Sequence, residues 1–518
     1  MSDIHILWVD DEIELLRPHI LFLEKRGYSV RTATNADDAL DMLEDKGANL
    51  IFLDEHMPGL SGLDALAHLK RIAPTVPVVM VTKSEEEDIM DRAVGAKIAD
   101  YLIKPVSPSQ LLISIKKNLH GKELVAAETT TAYQSDYGMI ATLVDQATSH
   151  EDWANIHRLL SEWRLSLLDV NAPDMLEMHA MQQQSANTAF GKFIRRNYRG
   201  WFRDVPDRPV TSPRVLREKV FPYIEAGEKV LLVVVDNLRF DQWRIMREML
   251  TPMWRVDSEE LYYAILPTVT QYARNAIFAG LMPLEIESLM PDLWVQDADD
   301  EEGMNSYEHE LLQRNIQRLG RGYRTNYHKG ANLVGSPLGE GDFSALERDD
   351  LSVVVYNFVD MLSHSRNDMR IVKQIANDAH GYLSLTQSWF KHSDLYAFLE
   401  RASKLNIRLI ITTDHGSIQV KKPIRVIGDR HTTTNLRYKM GKNLNYDERE
   451  VFDTTNPAEL HLPQSNVSSR YIFALGNSFF AYPNNYNLYV GKYRDSFQHG
   501  GISLEEMIVP IVSLAPQR

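Results

Sequence analysis

The chain of 518 residues contains no cysteine. That absence excludes disulfide scaffolds, thiolate zinc sites, iron–sulfur clusters and cysteine nucleophiles, so any metal must be held by His, Asp and Glu. Long apolar runs are missing too: none reaches the ~18 residues of a membrane-spanning helix, and the start MSDIHILWVDDE has no basic stretch followed by an apolar one. The expectation is a cytoplasmic protein without membrane insertion. Positive charge is in deficit, with 56 Lys+Arg against 71 Asp+Glu and a net charge of −15. Bulk nucleic-acid affinity, which draws on Lys and Arg contacts to phosphate, is therefore disfavoured. What remains is ordinary for globular domains, at 44% apolar and 25% charged residues, and the length predicts three or four of them.

Residues 1–120 alternate short β-branched runs with amphipathic stretches, the order of a doubly wound parallel sheet in an α/β domain. Strands are predicted at 4–9, 29–33, 50–53, 78–81 and 99–102. Open α/β sheets bind ligands at the carboxyl ends of their strands, and there the sequence puts Asp10, Asp11, Asp54, Thr82 and Lys104. Three carboxylates from two strand ends can hold one hard cation such as Mg²⁺. A phosphoryl group on Asp54 would meet that metal, the Thr82 hydroxyl and the Lys104 ammonium. With LWVDDE, IFLDEHMPGLSG, VTKS and DYLIKPVS, the segment resembles the CheY-like receiver domains of two-component response regulators. The resemblance implies that Asp54 is the phospho-acceptor, that Asp10 and Asp11 serve Mg²⁺ beside it, that Thr82 and Lys104 bind the phosphoryl group, and that Tyr101 is an aromatic switch. It further implies a sensor histidine kinase as partner and a homodimer formed on phosphorylation.

Residues 121–208 read as a helical-bundle connector. Trp153, Ile156, Leu160, Trp163 and Leu167 recur at alternating steps of three and four, and Ser149 with Asp152 forms a capping box. One helix is expected within 123–147 and another from about Asp174 towards Trp201. Lys192, Arg195, Arg196, Arg199 and Arg203 interleave with Phe193, Tyr198, Trp201 and Phe202, a pattern that a nucleic-acid stacking surface would share. Helical spacing favours the plainer expectation that the aromatics pack on the next domain. Pro206, Pro209 and Pro213 then end the helix, placing a boundary near residue 208.

Residues 209–518 form a second α/β segment, with strands predicted at 230–235, 352–358 and 408–412. Each ends near a metal-capable residue: Asp236 in VVVDNLR, Asp360 and His364 in NFVDMLSHS, Asp414 and His415 in ITTDHG. His499 follows in QHGGISLEEMIVP. Taken singly, such residues are more often helix caps or structural histidines. Together they suffice for two metal ions, and an imidazole-rich set without thiolate suits Zn²⁺ or Mn²⁺ better than Mg²⁺. The segment AILPTVTQYARNAIFAG supplies Thr268 and Thr270 before a helix, where a hydroxyl meets free N–H groups and the positive end of the dipole. The acidic run 297–302 lacks the glycine of a calcium loop, and the GEG at 339–341 lacks the rest of a phosphate-loop fingerprint.

This order of motifs resembles the PglZ branch of the alkaline phosphatase superfamily, an α/β/α fold. The resemblance assigns Asp236, Asp414, His415 and the Thr270 oxygen to one zinc, and Asp360, His364 and His499 to the other. It aligns Thr270 with the nucleophile, Thr268 being the fallback, and implies a phosphodiesterase acting on nucleotide or oligonucleotide phosphodiesters. Arg239, Arg274, Arg430 and Lys492 lie near the motifs as candidates to steer an anionic substrate. Receiver, connector and PglZ segment in one chain resemble response regulators associated with gliding and type IX secretion. The competing expectation is a phosphorylation-controlled binding platform for a sigma factor or a secretion-system component, with incidental hydrolysis.

Overall fold

The computed structural model describes residues 4–83, 91, 95, 97–203, 207–295, 303–330, 343–357, 379–429, 432–464, 468–484 and 486–517. The chain divides into two compact units, Met1–Thr131 and Ala132–Arg518.

In the first unit, strands β1 (Ile4–Val9), β2 (Tyr28–Ala33), β3 (Leu50–Asp54), β4 (Val78–Thr82) and β5 (Asp100–Ile103) form one parallel sheet in the order β2-β1-β3-β4-β5. All five predicted strands are present to within a residue or so at each end. The central β3 and β4 are buried along their whole length, as uniformly apolar parallel strands must be when both faces are covered.

The helix that begins at Pro108 continues to Gln146 without a break, so the separate helix expected within 123–147 is its second half. Gly121 and Gly138 fall inside it; an interior glycine costs about 1 kcal/mol relative to alanine, too little to end a helix this long. The division between the two units lies within this helix. Helix His150–Asp169 starts at the expected capping box, with Ser149 accepting from the Asp152 amide and Asp152 from that of Ser149. Its predicted seam is buried at Trp153, Ile156, Leu160 and Leu167. Helix Pro173–Asn197 packs against it, and the aromatics of 193–202 turn inward: Trp201 lies 4.9 Å from Tyr263, and the Leu266 amide donates to the Tyr198 hydroxyl at 2.7 Å. Trp153, Phe190 and Trp201 share one continuous core with Leu232, Val234 and Ile410 of the C-terminal sheet.

That sheet contains β6 (Val230–Val235), β7 (Trp254–Tyr263), β8 (Thr325–Gly330), β9 (Leu351–Tyr356), β10 (Arg408–Thr412) and a C-terminal strand, Ile508–Pro516. Its order is β7, C-terminal strand, β10, β6, β9, β8. β10, β6, β9 and β8 are parallel, and the C-terminal strand runs antiparallel to both neighbours. β6 and β10 match the expected bounds, whereas β7, β8 and the C-terminal strand are additions to them. Small two- and three-stranded sheets within 418–498 complete the unit. Among the described residues no helix is long and apolar enough to cross a membrane.

Candidate functional site

Sheet register brings the metal-capable residues of the second unit together. Val234 on β6 pairs with Thr412 on β10, so Asp236 and Asp414, each two residues further on, emerge side by side. β9 ends on the other flank, where the Asp236 amide donates to the Tyr356 carbonyl at 3.0 Å. Asp236, Asp414 and His415 are buried, and each offers a ligand atom within 4.8 Å of the others. Two carboxylates and an imidazole converging on one buried point fit a zinc-like ion in a chain that has no thiolate. Asp360 and His364 lie outside the described residues.

Thr270 opens the helix Thr270–Ala279, and its hydroxyl lies 3.4 Å from Asp236 Oδ1 and 3.2 Å from His415 Nε2. His415 Nδ1 is 3.1 Å from the Gly416 carbonyl. That acceptor keeps the proton on Nδ1 and turns the Nε2 lone pair towards the site. His499 uses the same arrangement, with Nδ1 3.2 Å from the Thr268 carbonyl, and its ring stacks on that of His415 at 4.3 Å. Thr268 itself is fully buried; it accepts from the Gly500 amide and donates to the Gly501 carbonyl, both at 3.0 Å. Its hydroxyl therefore serves the turn that carries His499, whereas Thr270 faces the metal-capable residues. The glycines of these motifs are steric necessities: a Cβ on Gly416 would lie 2.1 Å from the Glu505 carbonyl oxygen, and Gly500 has φ +117°.

Arg274 lies one helical turn beyond Thr270. Its Nη1 is 2.8 Å from Asp236 Oδ2 and 3.8 Å from Asp414 Oδ2, while its Nε donates to Glu308 Oε1 at 2.5 Å. Burial opposes its charge, but Glu308, Asp236 and Asp414 outweigh burial and hold it protonated. Glu308 also accepts from the Tyr327 hydroxyl and lies 3.2 Å from Lys329 Nζ. Sequence reasoning missed Glu308: at the first turn of an amphipathic helix it reads as an ordinary N-terminal acid. Arg239 is directed elsewhere, giving Nε and Nη2 to Asp241 at 2.9 Å and stacking on Tyr382 and Phe497. Lys492 is exposed over the Tyr493 ring, and Arg430 lies outside the described residues, as do the acidic run 297–302 and the GEG at 339–341.

In the first unit Asp54 closes β3, Thr82 closes β4, and Lys104 follows β5. Lys104 Nζ lies 2.8 Å from Asp10 Oδ2 and 2.9 Å from Asp54 Oδ2. Burial opposes the Lys104 charge, and the two carboxylates more than restore it. Burial raises the Asp54 carboxyl, only partly offset by Lys104. Asp54 Oδ1 is buried without a hydrogen-bond partner among the described residues, and Asp10, Asp11 and Asp54 each offer an oxygen within 4.8 Å of the others. An oxygen-only cluster with an unsatisfied buried carboxylate atom fits a hard cation such as Mg²⁺. Burial and the nearby Glu55 raise the Tyr101 phenol, opposed by a hydrogen bond with Thr82.

Three family profiles match the chain. They are the response regulator receiver domain at residues 6–116, the PorX response regulator linker domain at 123–202, and the BREX system PglZ alkaline phosphatase-like domain at 215–514. Curated relatives match about a quarter of the chain. The alginate biosynthesis transcriptional regulatory protein AlgB of Pseudomonas putida is 42% identical over 121 residues, 23% of this chain and 27% of the relative. The phosphate regulon transcriptional regulatory protein PhoB of Escherichia coli is 34% identical over 131 residues, 25% of this chain and 57% of the relative. The chain thus spans between about a quarter and just over half of these relatives' length. A CheY-like receiver domain protein from Methanospirillum hungatei is 31% identical, covering 24% of this chain and 98% of its own, with a TM-score of 0.23.

Proposed function

The chain belongs to the PglZ alkaline phosphatase-like family, joined to a receiver domain and a PorX-type linker, and from this premise we propose a response regulator whose output is a zinc-dependent phosphodiesterase. The observation that carries the reading is the Thr270 hydroxyl, at a helix N-terminus and within 3.4 Å of both Asp236 and His415. The Thr270 oxygen attacks phosphorus, the new P–O bond replaces the bond to the ester leaving group, and the departing oxygen takes a proton. Water then cleaves the phosphothreonine and restores the hydroxyl. Asp236, Asp414 and His415 would hold one zinc, and His499 with Asp360 and His364 a second. When bound, the ions supply charge neutralisation at the phosphoryl group and lower the threonine's pKa. The start of Thr270–Ala279, which no side chain caps, would add the positive end of the helix dipole to the same phosphoryl oxygens. Arg274 fixes Asp236 Oδ2, leaving Oδ1 to face Thr270.

Control lies with Asp54. A sensor histidine kinase would phosphorylate it with Mg²⁺ on Asp10, Asp11 and Asp54, and the phosphoryl group would displace the present Lys104–Asp54 contact and engage Thr82. Tyr101, now hydrogen-bonded to Thr82, loses that partner and turns inward, favouring a homodimer. Type IX secretion is the process we assign to the pair, with a nucleotide or oligonucleotide diester as substrate, in the cytoplasm.

The test is hydrolysis of a chromogenic phosphodiester by wild-type and Thr270→Val protein, each stripped of metal and reloaded with Zn²⁺. The wild type turns over only with metal, and the variant falls by a factor on the order of 10³ or more. A folded, zinc-loaded wild type that hydrolyses no diester would overturn the enzyme reading in favour of a platform for a sigma factor or a secretion component.

A further inference from the structure

A second polar site lies away from Thr270, between the connector helices and the loops that follow Asp236 and His415. There a cavity of about 70 Å³ is lined by Arg164 of helix His150–Asp169, by Gln183 and Asn187 of helix Pro173–Asn197, and by Arg239, Ser417 and Lys421. Arg239 is 2% exposed and Ser417 fully buried, whereas Lys421 stands exposed at the mouth. A water needs roughly 10–15 Å³ of such space, so the cavity has room for several waters or one tetrahedral oxyanion.

Its charge is unbalanced. Arg164, Arg239 and Lys421 line it with the acid Glu505, and with Asp241 behind the arginines one positive charge remains in excess. Both Glu505 oxygens are already engaged, Oε1 by Gln183 at 2.7 Å and Oε2 by Asn187 at 3.0 Å. Burial raises the Glu505 carboxyl, which weakens its opposition to an anion. Asp241, outside the lining, accepts Nε and Nη2 of Arg239 and Nη1 of Arg164. Arg239 Nη1 and Arg164 Nη2 have no acceptor in those bonds. Ser417 Oγ is buried with no hydrogen-bond partner among the described residues. An unsatisfied buried hydroxyl costs about 1–3 kcal/mol, so its persistence in a cavity lined by two guanidiniums marks the place of an acceptor supplied from outside.

We propose that this cavity binds one phosphate-sized oxyanion, held by Arg164, Arg239, Lys421 and the Ser417 hydroxyl. The anion would bridge the connector to the metal domain, because Arg239 follows Asp236 by three residues and Ser417 follows His415 by two. The site stands apart from the reacting phosphoryl group and does not depend on Thr270 chemistry. Free inorganic phosphate and the phosphate of a mononucleotide are the two sources with this chemistry.

The full-length, zinc-loaded protein is crystallised with tungstate to locate oxyanions by anomalous scattering, and titrated calorimetrically with inorganic phosphate and with AMP. The expected result is a tungstate peak within reach of Ser417, apart from any at Thr270. It is accompanied by a calorimetric binding event that weakens about tenfold in Ser417→Ala and about threefold in Lys421→Gln. Binding of phosphate alone identifies the free ion, and binding of AMP alone identifies a nucleotide's phosphate. The proposal is overturned by the absence of a peak, by a peak without a matching calorimetric event (an adventitious ion only), or by affinities that neither substitution changes.

Discussion

Arg437 and Glu506 form an ion pair in which both side chains are fully buried, and it holds the turn that carries His499. Arg437 donates Nε to Glu506 Oε1 at 3.0 Å and Nη2 to Oε2 at 2.5 Å. The same carboxylate accepts from the Gly501 amide at 2.9 Å and the Ser503 hydroxyl at 2.6 Å. Arg437→Met leaves a buried carboxylate with two neutral donors and no counter-charge, which costs about 3–5 kcal/mol. Glu506→Leu orphans the guanidinium and costs a similar amount. The double substitution removes both charges, so its cost falls well short of the sum, with a coupling of about 3 kcal/mol. For a cooperative unit of this size each kcal/mol shifts the melting temperature by roughly 1 °C, so each single variant melts about 3–5 °C below wild type. Urea denaturation followed by tryptophan fluorescence gives the free energies directly. Diester hydrolysis should remain impaired in the double variant even where stability recovers, because the Gly501 amide has lost the acceptor that fixes the His499 turn. Strict additivity of the two single costs, or singles below about 1 kcal/mol, would refute the argument.

Three further predictions rest on separate observations. His157 and His179 are buried with pKa values depressed to about 4, chiefly by burial. The unfolded chain therefore binds more protons between about pH 6.5 and pH 4, so stability is full above 6.5 and falls through that window, by about 3 kcal/mol per histidine. Neither His157 nitrogen has a hydrogen-bond partner among the described residues, so His157→Phe should gain more in urea at about pH 5 than at about pH 8; equal effects would sink the assignment. Burial raises the Asp54 carboxyl, so at neutral pH its charge destabilises the receiver. Asp54→Asn stabilises it in chelator, and the gain disappears as pH falls through the carboxyl's titration, because both states are then neutral. Added Mg²⁺ narrows the gap, which urea midpoints with and without the ion would reveal. Thr268→Val loses two hydrogen bonds to the His499 turn and costs about 1–3 kcal/mol. It lowers hydrolysis without abolishing it, in contrast to Thr270→Val; equal losses of activity would contradict the separation of their roles.

Much of the fold was legible because its signals are local. The receiver strands are short apolar runs ended by charged residues, and the Ser149–Asp152 cap needs only three residues of spacing. β7 escaped because its buried positions are interrupted by Ser258, Glu259 and Glu260, of which Glu259 serves Trp243, Arg244 and Arg247 across the sheet edge. The C-terminal strand escaped because Pro510 lies within it, and proline argues against strand except at particular pairing positions. The unbroken helix Pro108–Gln146 reads as two in the sequence because the receiver motifs stop inside it, and no break in composition marks the backbone's continuity.

By itself, the sequence determined the inventory: no thiolate, carboxylates and imidazoles at strand ends, and two threonines before a helix. These are choices of residue type at positions that backbone periodicity already fixes. Only the tertiary structure gave the two threonines different surroundings, bonding Thr268 to the His499 turn and placing Thr270 beside Asp236 and His415. It also tied Arg274 to Glu308, committed Arg239 to Asp241, and left the Ser417 hydroxyl without a partner among the described residues, in a cavity that two arginines also line. Apart from the local Arg239–Asp241 pair, those partnerships join residues that are far apart in the chain. Spacing along a sequence carries no record of them, because side-chain direction across an interface is set by packing and not by periodicity.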